Sequence, residues 1–477
     1  MATHYRSLSS DQLYLMPVDP RDWLAKGHLA YKVLDAVKLM DLCEFSNHGT
    51  ETRGAPGFRP EMILCLYLYA MCKGVASSRA IARLCLDDIG ARFLCGGLAP
   101  RYRAIAAFRH DRDQALAGLL KRTVQLCEEA GLVDITQTFV DGTKLKAHAS
   151  LQKNVRYADA VQRSAKLEAR IAQMLARMDT ADAQEDEGSH DSDAQEDADD
   201  DGDHPIKPGA EREAMVERRE RLLAAKERLE AQAQAKHAEH LAAPASERTH
   251  HKAPTGVPEP DDRSNLTDPD SAIMTTRSKE YIQGFNGQIV VERAHNVIVG
   301  AFLTNACNDY RELIPSFQAV RETCGRNPGL VVADAGYFSA ANIQAARKAD
   351  IPVLIPPKKV DRRKDIALSE ALSDDDLNRM SAADRMQAIL ATKAGRETYM
   401  RRQCTVETVF GLLKGCPGRT GFRQFLRRGL TQCGRDWQFT CAVHNLKAYF
   451  GRNAQAQRPP KQKNPNEKGL QYRLAVI

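Results

Sequence analysis

The sequence has no hydrophobic run long enough to cross a membrane. Its longest purely apolar stretch, Met62 to Cys72, is well short of the roughly 18 residues that a bilayer-spanning helix needs. The segment Met1 to Asp11 lacks the basic region and the apolar core of a secretory signal. These two absences exclude an integral membrane protein and predict a cytoplasmic one.

Paired cysteines are also missing. None of the twelve cysteines belongs to a Cys-x-x-Cys pair, and most lie in apolar stretches where a small hydrophobic side chain would pack. A zinc site would need close cysteine partners for the clustered histidines His237, His240, His250 and His251, and these lie in polar sequence without them. We therefore expect reduced, packed thiols.

Basic charge is abundant but unevenly distributed. The net charge of the 477 residues is +6, yet the stretch from Asp179 to Asp203 alone contains thirteen carboxylates and no Lys or Arg. Without those thirteen negative charges the rest of the chain carries +19. A body of that charge attracts polyanions such as nucleic acid. The acidic stretch itself is either a solvated linker or a nucleic-acid mimic that suppresses binding within the chain.

The apolar pattern divides the chain into helical and β-rich regions. The first 130 residues read as helices with arginines on their polar faces, a pattern that fits DNA contact through a helix-turn-helix-like unit and plain packing or dimerisation equally well. Beyond them, short β-rich runs come first and alternate with helices later, which indicates a mixed α/β sheet. The predicted strands are Thr136–Val140, Ile273–Thr276, Gly287–Val291, Val297–Thr304, Gly329–Ala333 and Ile351–Ile355.

Two polar segments interrupt the predicted sheet. The first opens and closes with heptad-like helices, which predicts a helical hairpin around the acidic tract. The basic tail, residues 451–477, is either an arm that attracts polyanions electrostatically or a solvated end. The predicted regions are a helical amino-terminal domain at 1–130, the first part of the sheet domain at 131–150 and 263–359, the hairpin with its disordered acidic tract at 151–262, a polar insertion at 360–395, the carboxy-terminal helices at 396–450 and a basic disordered tail at 451–477.

Three acidic residues stand out by their settings. Asp141 follows the apolar run Phe139 to Val140, and Asp334 follows Leu330 to Ala333, so both are placed at predicted strand ends. Glu407 lies in a helical pattern. A carboxylate beside a buried strand is costly unless it is paired or binds a metal ion, so each is either turn chemistry or a ligand.

The segments that carry these acids occur in a diagnostic order. They are Thr138-Phe-Val-Asp-Gly-Thr-Lys144, Val331-Val-Ala-Asp-Ala-Gly-Tyr-Phe338 and Tyr399-Met-Arg-Arg-Gln-Cys-Thr-Val-Glu-Thr-Val-Phe-Gly-Leu-Leu-Lys414. The third combines an aromatic residue, an arginine, an acid and a lysine in one predicted helix. The set resembles the bacterial insertion-sequence DDE transposases of the Y-R-E-K type, and the helical start resembles their amino-terminal domain.

That resemblance implies a ribonuclease-H-like mixed sheet with a helical insertion, preceded by an all-α amino-terminal domain. It also implies that Asp141, Asp334 and Glu407 are catalytic and bind two Mg²⁺ ions, for which Mn²⁺ can substitute. Asp134, Asp268 and Asp309 lack an equally clear setting and are taken as acids outside the site.

Basic residues around Glu407 are predicted to contact DNA. Lys414, two helical turns after Glu407, is placed to hold a phosphate, and Tyr399 either stacks on a base or packs in the core. The commonest pattern has its arginine four residues before the acid, where this chain has Gln403, so Arg402 and Arg401 both compete for that role. Arg419 and Arg423 are further DNA-binding candidates, with a solvated helical face as the alternative.

The function that the resemblance implies is cleavage and strand transfer of insertion-sequence ends. Its partners would be double-stranded DNA, as terminal inverted repeats and as target, and a second copy of the chain in a nucleoid-associated synaptic complex. The main alternative is a non-enzymatic, degenerate or domesticated protein that binds inverted repeats without cutting. A structure-specific nuclease or resolvase is a further one.

Overall fold

The computed structural model describes residues 19–45, 57–187, 208–242, 253–358, 377, 379–415 and 421–453. The acidic tract from 188 to 203, residues 360–376 of the predicted polar insertion and the tail from 454 onward lie outside these ranges. In the described ranges, no helix is both long and apolar enough to span a bilayer.

The described part of the amino-terminal region is helical, as predicted. Its central helix buries almost every side chain, begins with a proline in its first turn and is followed by Gly74 at a φ of 80°. The helices are α1 Pro20–Trp23, α2 Leu29–Leu39, α3 Pro60–Cys72, α4 Ser78–Asp87, α5 Ile89–Leu94, α6 Tyr102–Asp111 and α7 Asp113–Glu129.

A mixed sheet follows, interrupted by a long helical hairpin. Its elements, in chain order, are β1 Thr138–Lys146, β2 Asn154–Arg156, α8 Tyr157–Glu187, α9 Pro208–Ala242, β3 Arg263–Asn265, β4 Ala272–Thr275, β5 Tyr281–Glu292, β6 Ile298–Thr304, α10 Leu313–Cys324, β7 Val331–Val332, α11 Ala340–Lys348 and β8 Val353–Leu354.

The strand order of the sheet is that of a ribonuclease-H-like fold. Strand β5 pairs antiparallel with β1 on one side and with β4 and β6 on the other. Strand β1 then pairs parallel with β7, and β7 with β8. Four strands in antiparallel pairing, β1, β4, β5 and β6, are followed by two parallel strands, β7 and β8, that are reached through helical crossovers, and this six-stranded sheet confirms the predicted fold class.

The hairpin inserted after β1 stands on a small sheet of its own. Strands β2 and β3 pair antiparallel where the chain leaves and re-enters the main domain. Helices α8 and α9 pack against each other, and Leu222 and Ala225 of α9 are buried with Val155 and Ala160. Helix α8 continues to Glu187, so the first acidic residues of the tract belong to a helix.

The carboxy-terminal helices close the domain. They are α12 Ala382–Ala391, α13 Lys393–Met400, α14 Val406–Lys414 and α15 Leu430–Asn453, so the predicted boundary at residue 396 falls inside α13. Helix α15 packs on β6 and on α7 and α3 of the amino-terminal region. Tyr67 stacks on Phe439 with ring centroids 5.0 Å apart, so the two regions share one hydrophobic core.

Candidate active site

Asp141 lies within a strand, which corrects the prediction that it ends one. Strand β1 continues to Lys146 because Gly142 to Lys146 pair with Gly284 to Gln288 of β5. The Asp141 side chain is 16% exposed, and its carboxylate accepts a hydrogen bond from the Gly142 N–H at 2.9 Å. Asp141 therefore lies within a central strand of the sheet and not in a turn at its end.

Asp334 follows the neighbouring parallel strand at the same level. The register pairs Phe139 with Val332, and each aspartate comes two residues after its member of that pair. Asp334 caps the short 3₁₀ helix Ala335–Tyr337 and accepts a hydrogen bond from the Gly336 N–H at 2.8 Å. The sheet thus brings the two predicted aspartates side by side.

Arg402 binds both aspartates. Its Nη2 lies 2.6 Å from Asp141 Oδ2 and 3.8 Å from Asp334 Oδ2, and its side chain is only 5% exposed. Burial raises the pKa of Asp141 to about 7; Arg402 opposes that rise, and the negative charges of Asp334 and Asp309 add to it. Of the two competing arginines, Arg402 is the one that occupies the site, while Arg401 is half-buried beside it.

Glu407 lies in the first turn of α14, and the segment from Tyr399 to Lys414 is not the single helix that was predicted. Helix α13 ends at Met400, a 3₁₀ turn covers Arg401–Gln403, and Thr405 adopts φ −108° and ψ −96°. The Thr405 hydroxyl donates to the Arg401 carbonyl at 2.9 Å, a local bond that competes with the helical ladder. This break carries Arg402 inward.

The relation of Glu407 to the aspartates is indirect. Burial lowers the pKa of Arg402. Four neighbours oppose this effect and raise the pKa overall: Asp141, Asp334, Tyr399 and Glu407. Glu407 therefore lies in the electrostatic field of the same guanidinium. In the part of the chain that the structure describes, no three His, Cys, Asp or Glu side chains are grouped closely enough to hold a metal ion. The three-carboxylate site therefore stays a prediction, whereas the meeting of Asp141 and Asp334 is observed.

Lys414 lies beside the aspartates. Its Nζ donates to the Lys144 carbonyl of β1 at 3.4 Å. The side chain reaches solvent, yet partial burial lowers its pKa against the opposing effect of Asp141. An ammonium group in this position can meet a phosphate that approaches the carboxylates.

The remaining predicted DNA-binding residues differ in their settings. Tyr399 is 6% exposed and packs in the core, which favours the packing alternative over base stacking. Arg423 is exposed. Arg419 lies outside the described residues, so its role stays a prediction.

Two arginines near the end of the chain serve an internal role. Arg427 and Arg435 bind Asp113 at 3.3 and 2.7 Å, while Arg427 and Arg109 bind Asp436 at 2.7 and 2.8 Å. These half-buried ion pairs join α6 and α7 to α15. Arg427 and Arg435 therefore stabilise a contact between the two regions.

Asp309, which was predicted to lie outside the site, lies close enough to Asp141 for its negative charge to help raise the pKa of that carboxyl. It lies after β6, and its Oδ1 accepts hydrogen bonds from Asn286 Nδ2 at 2.7 Å and Gln288 Nε2 at 2.6 Å. Gln288 also accepts a hydrogen bond from the buried Tyr337 hydroxyl. Two polar residues at alternate positions of the buried part of β5, Asn286 and Gln288, were the available signal, because such side chains need polar partners.

Comparison with known protein families agrees with this architecture. The family described as "Transposase domain (DUF772)" matches residues 18–111, which contain helices α1 to α6. The family described as "Transposase DDE domain" matches residues 249–427, from the end of the hairpin insertion to just before α15. No curated protein and no solved structure gives a match. Both family matches are transposase domains and together they cover more than half of the chain, which therefore belongs to the insertion-sequence DDE transposases.

Proposed function

We propose that the protein cuts DNA at the ends of its own insertion sequence with divalent cations and joins the freed 3′-hydroxyl groups to target DNA. The observation that carries this proposal is that two aspartates share one positively charged side chain. Asp141 and Asp334, on neighbouring parallel strands, both reach Nη2 of Arg402. Two carboxylates that converge on one positive charge in a transposase fold form the centre of a cation-binding site.

The donor set of the site fits Mg²⁺ or Mn²⁺. Both metals prefer carboxylate oxygens and water, and Asp141 and Asp334 supply such oxygens while Glu407 lies within the same electrostatic field. When bound, divalent cations supply an activated nucleophile and stabilise the leaving oxygen of a phosphodiester. Asp141 and Asp334 would hold such cations, and Asp141 is the more deeply buried of the two.

Arg402 has two roles in this proposal. Without a metal ion, its guanidinium neutralises the buried Asp141 carboxylate, which would otherwise stand unpaired. With divalent cations bound to the aspartates, the same guanidinium would be free to pair with a phosphate group. Lys414 stands on the neighbouring helix to hold that phosphate.

DNA is held outside the site by exposed basic residues. Arg423 is exposed on the segment before α15, and the amino-terminal helices add an exposed arginine surface. Arg79 of α4 lies over the ring of Tyr102 on α6, 5.3 Å from its centroid, which joins two helices of that surface. Its exposed arginines are Arg79, Arg83, Arg92, Arg101 and Arg103. Two element ends must be cut and joined together, so the working form is a homodimer.

The test uses a duplex taken from the DNA that flanks the coding region. Gel shifts at several salt concentrations measure end binding, and parallel reactions with Mg²⁺, Mn²⁺ or EDTA measure nicking and joining. We expect metal-dependent nicking and joining that is lost in Asp141→Asn, Asp334→Asn and Glu407→Gln, with end binding kept within about threefold. Specific binding without nicking by the wild type would instead support the non-enzymatic protein, and cutting of branched DNA without joining would support a resolvase.

A further inference from the structure

Asp309 is held against the site by side chains of β5. Both amide hydrogen bonds, from Asn286 and Gln288, end on its Oδ1, and Lys144 Nζ lies 3.8 Å from the same oxygen. The Asp309 side chain is 21% exposed. In the described ranges no side chain donates a hydrogen bond to its Oδ2. One oxygen is therefore fixed and the other is available.

Two glycines make room for this carboxylate. Gly142 pairs with Gln288, and opposite residues of an antiparallel pair share a face of the sheet. A Cβ at position 142 would stand 2.5 Å from Asp309 Oδ1 and would overlap the Gln288 amide. A Cβ at Gly336 would lie 4.0 Å from the Asp309 Cβ. Asp309 thus occupies the space between the glycine that follows Asp141 and the glycine beyond Asp334.

Unpartnered polar atoms line the same space. Asn286 is fully buried, and its Oδ1 has no hydrogen-bond partner although it would lie 2.9 Å from a Cβ at Gly142. Lys144 Nζ is also buried without a hydrogen-bond partner. A buried acceptor left unsatisfied is destabilising, so the Asn286 oxygen is placed to accept from a ligand.

We propose that Asp309 is a fourth carboxylate of the cation site, which accepts hydrogen bonds from the hydration shell of the cation that Asp141 and Asp334 bind. This inference rests on the proposed function for the position of the cation. Mg²⁺ keeps several of its waters when proteins bind it, so a carboxylate need not touch the ion to help hold it. Such an outer position agrees with the absence of a close three-ligand group in the described residues.

The substitution Asp309→Asn isolates the charge. An asparagine oxygen can still accept both hydrogen bonds from Asn286 and Gln288, so the packing around Gly142 is kept. What is lost is the negative charge that faces the cation. Asp134→Asn is the matched control, because Asp134 precedes β1, is 42% exposed and makes a local hydrogen bond to Thr136.

The experiment measures metal binding without any nuclease assay. Mn²⁺ is titrated into the full-length protein, and free Mn²⁺ is followed by electron paramagnetic resonance. Removal of outer-shell partners typically weakens metal affinity by about 10-fold to 100-fold, and we expect a loss in this range for Asp309→Asn. We expect Asp134→Asn to match the wild type within about twofold and Asp141→Asn to lose binding altogether. If circular dichroism shows that Asp309→Asn is unfolded, Asp309→Ser takes its place with the same expectation.

The outcomes separate this inference from the proposed function. If Asp309→Asn and Asp134→Asn bind Mn²⁺ equally well, Asp309 only supports the strands and the inference is wrong. It is equally wrong if the wild type binds no Mn²⁺. If the wild type binds Mn²⁺ and Asp309→Asn weakens that binding, yet no nicking of end DNA occurs, the proposed function fails while the fourth carboxylate stands.

Discussion

Replacing Arg402 by methionine tests how the acidic site is stabilised before a metal ion binds. Methionine keeps much of the side-chain volume and removes the charge, so Asp141, 16% exposed, loses its partner at 2.6 Å. Breaking a buried ion pair from one side costs about 3–5 kcal/mol. The second carboxylate, Asp334, is 38% exposed and can be hydrated, so we expect a loss near the lower end, about 3 kcal/mol.

The predicted loss depends on pH and on the metal. The pKa of about 7 for Asp141 already includes the opposing effect of Arg402, so Arg402→Met raises that pKa further and the loss of stability grows as the pH rises through 8. Near pH 5.5, Asp141 is protonated and leaves little charge unpaired, so the difference between variant and wild type shrinks. Mg²⁺ should stabilise Arg402→Met more than the wild type, because it no longer competes with the guanidinium.

Urea unfolding followed by tryptophan fluorescence measures these differences. The double variant Arg402→Met with Asp141→Asn removes both charges, and we expect it to recover about 1–3 kcal/mol relative to the sum of the single variants. Arg401→Met is the control for loss of an arginine from the same turn. The explanation would be refuted if Arg402→Met were as stable as the wild type at pH 8 and the double variant showed no coupling.

Three further predictions concern other positions. Gly142→Ala should cost about 1–3 kcal/mol in unfolding experiments and impair nicking, because its Cβ would stand 2.5 Å from Asp309 Oδ1; unchanged stability would contradict that geometry. Asp113→Ala should lower the unfolding free energy by about 1–3 kcal/mol, because it leaves Arg435 without its partner at 2.7 Å, and a neutral result would mean that the ion pairs do not join the two regions. Burial lowers the pKa of His444 below its unfolded value of about 6.5, so the unfolded state takes up the proton first and stability falls as the pH drops below about 6.5. Plots of the unfolding free energy of His444→Gln against pH should lack this fall, and plots parallel to those of the wild type would rule it out.

The sequence predicted the strands of the sheet and the two aspartates that follow apolar runs, because these features appear as local patterns. Apolar runs bounded by turn formers mark strands wherever the strands lie in the fold, and two such runs each lead into an aspartate. Strand β1 is longer than predicted because its second half, from Gly142, is polar on the face that meets Asn286 and Gln288. Because these residues form no apolar run, hydropathy alone does not mark this half of the strand.

The features that sequence could not supply depend on register and on distant contacts. The place of Asp309 follows from the pairing of Gly142 with Gln288, which is a property of the assembled sheet. Periodicity also suggested one helix through Arg402, whereas the Thr405 hydroxyl replaces a helical bond and turns that arginine inward. The use of Arg435 in an ion pair with Asp113 joins segments more than 300 residues apart, beyond any local pattern.

The most direct test of the proposed site maps where a divalent ion sits. Fe²⁺ is substituted for Mg²⁺ in the protein bound to end DNA, and hydroxyl radicals formed at the metal cleave the nearby backbone. We predict cuts next to Asp141, Asp334 and Glu407 that excess Mg²⁺ suppresses and that Asp141→Asn abolishes. Cuts confined to other segments, or cuts near the two aspartates with none near Glu407, would contradict a site built from all three acids.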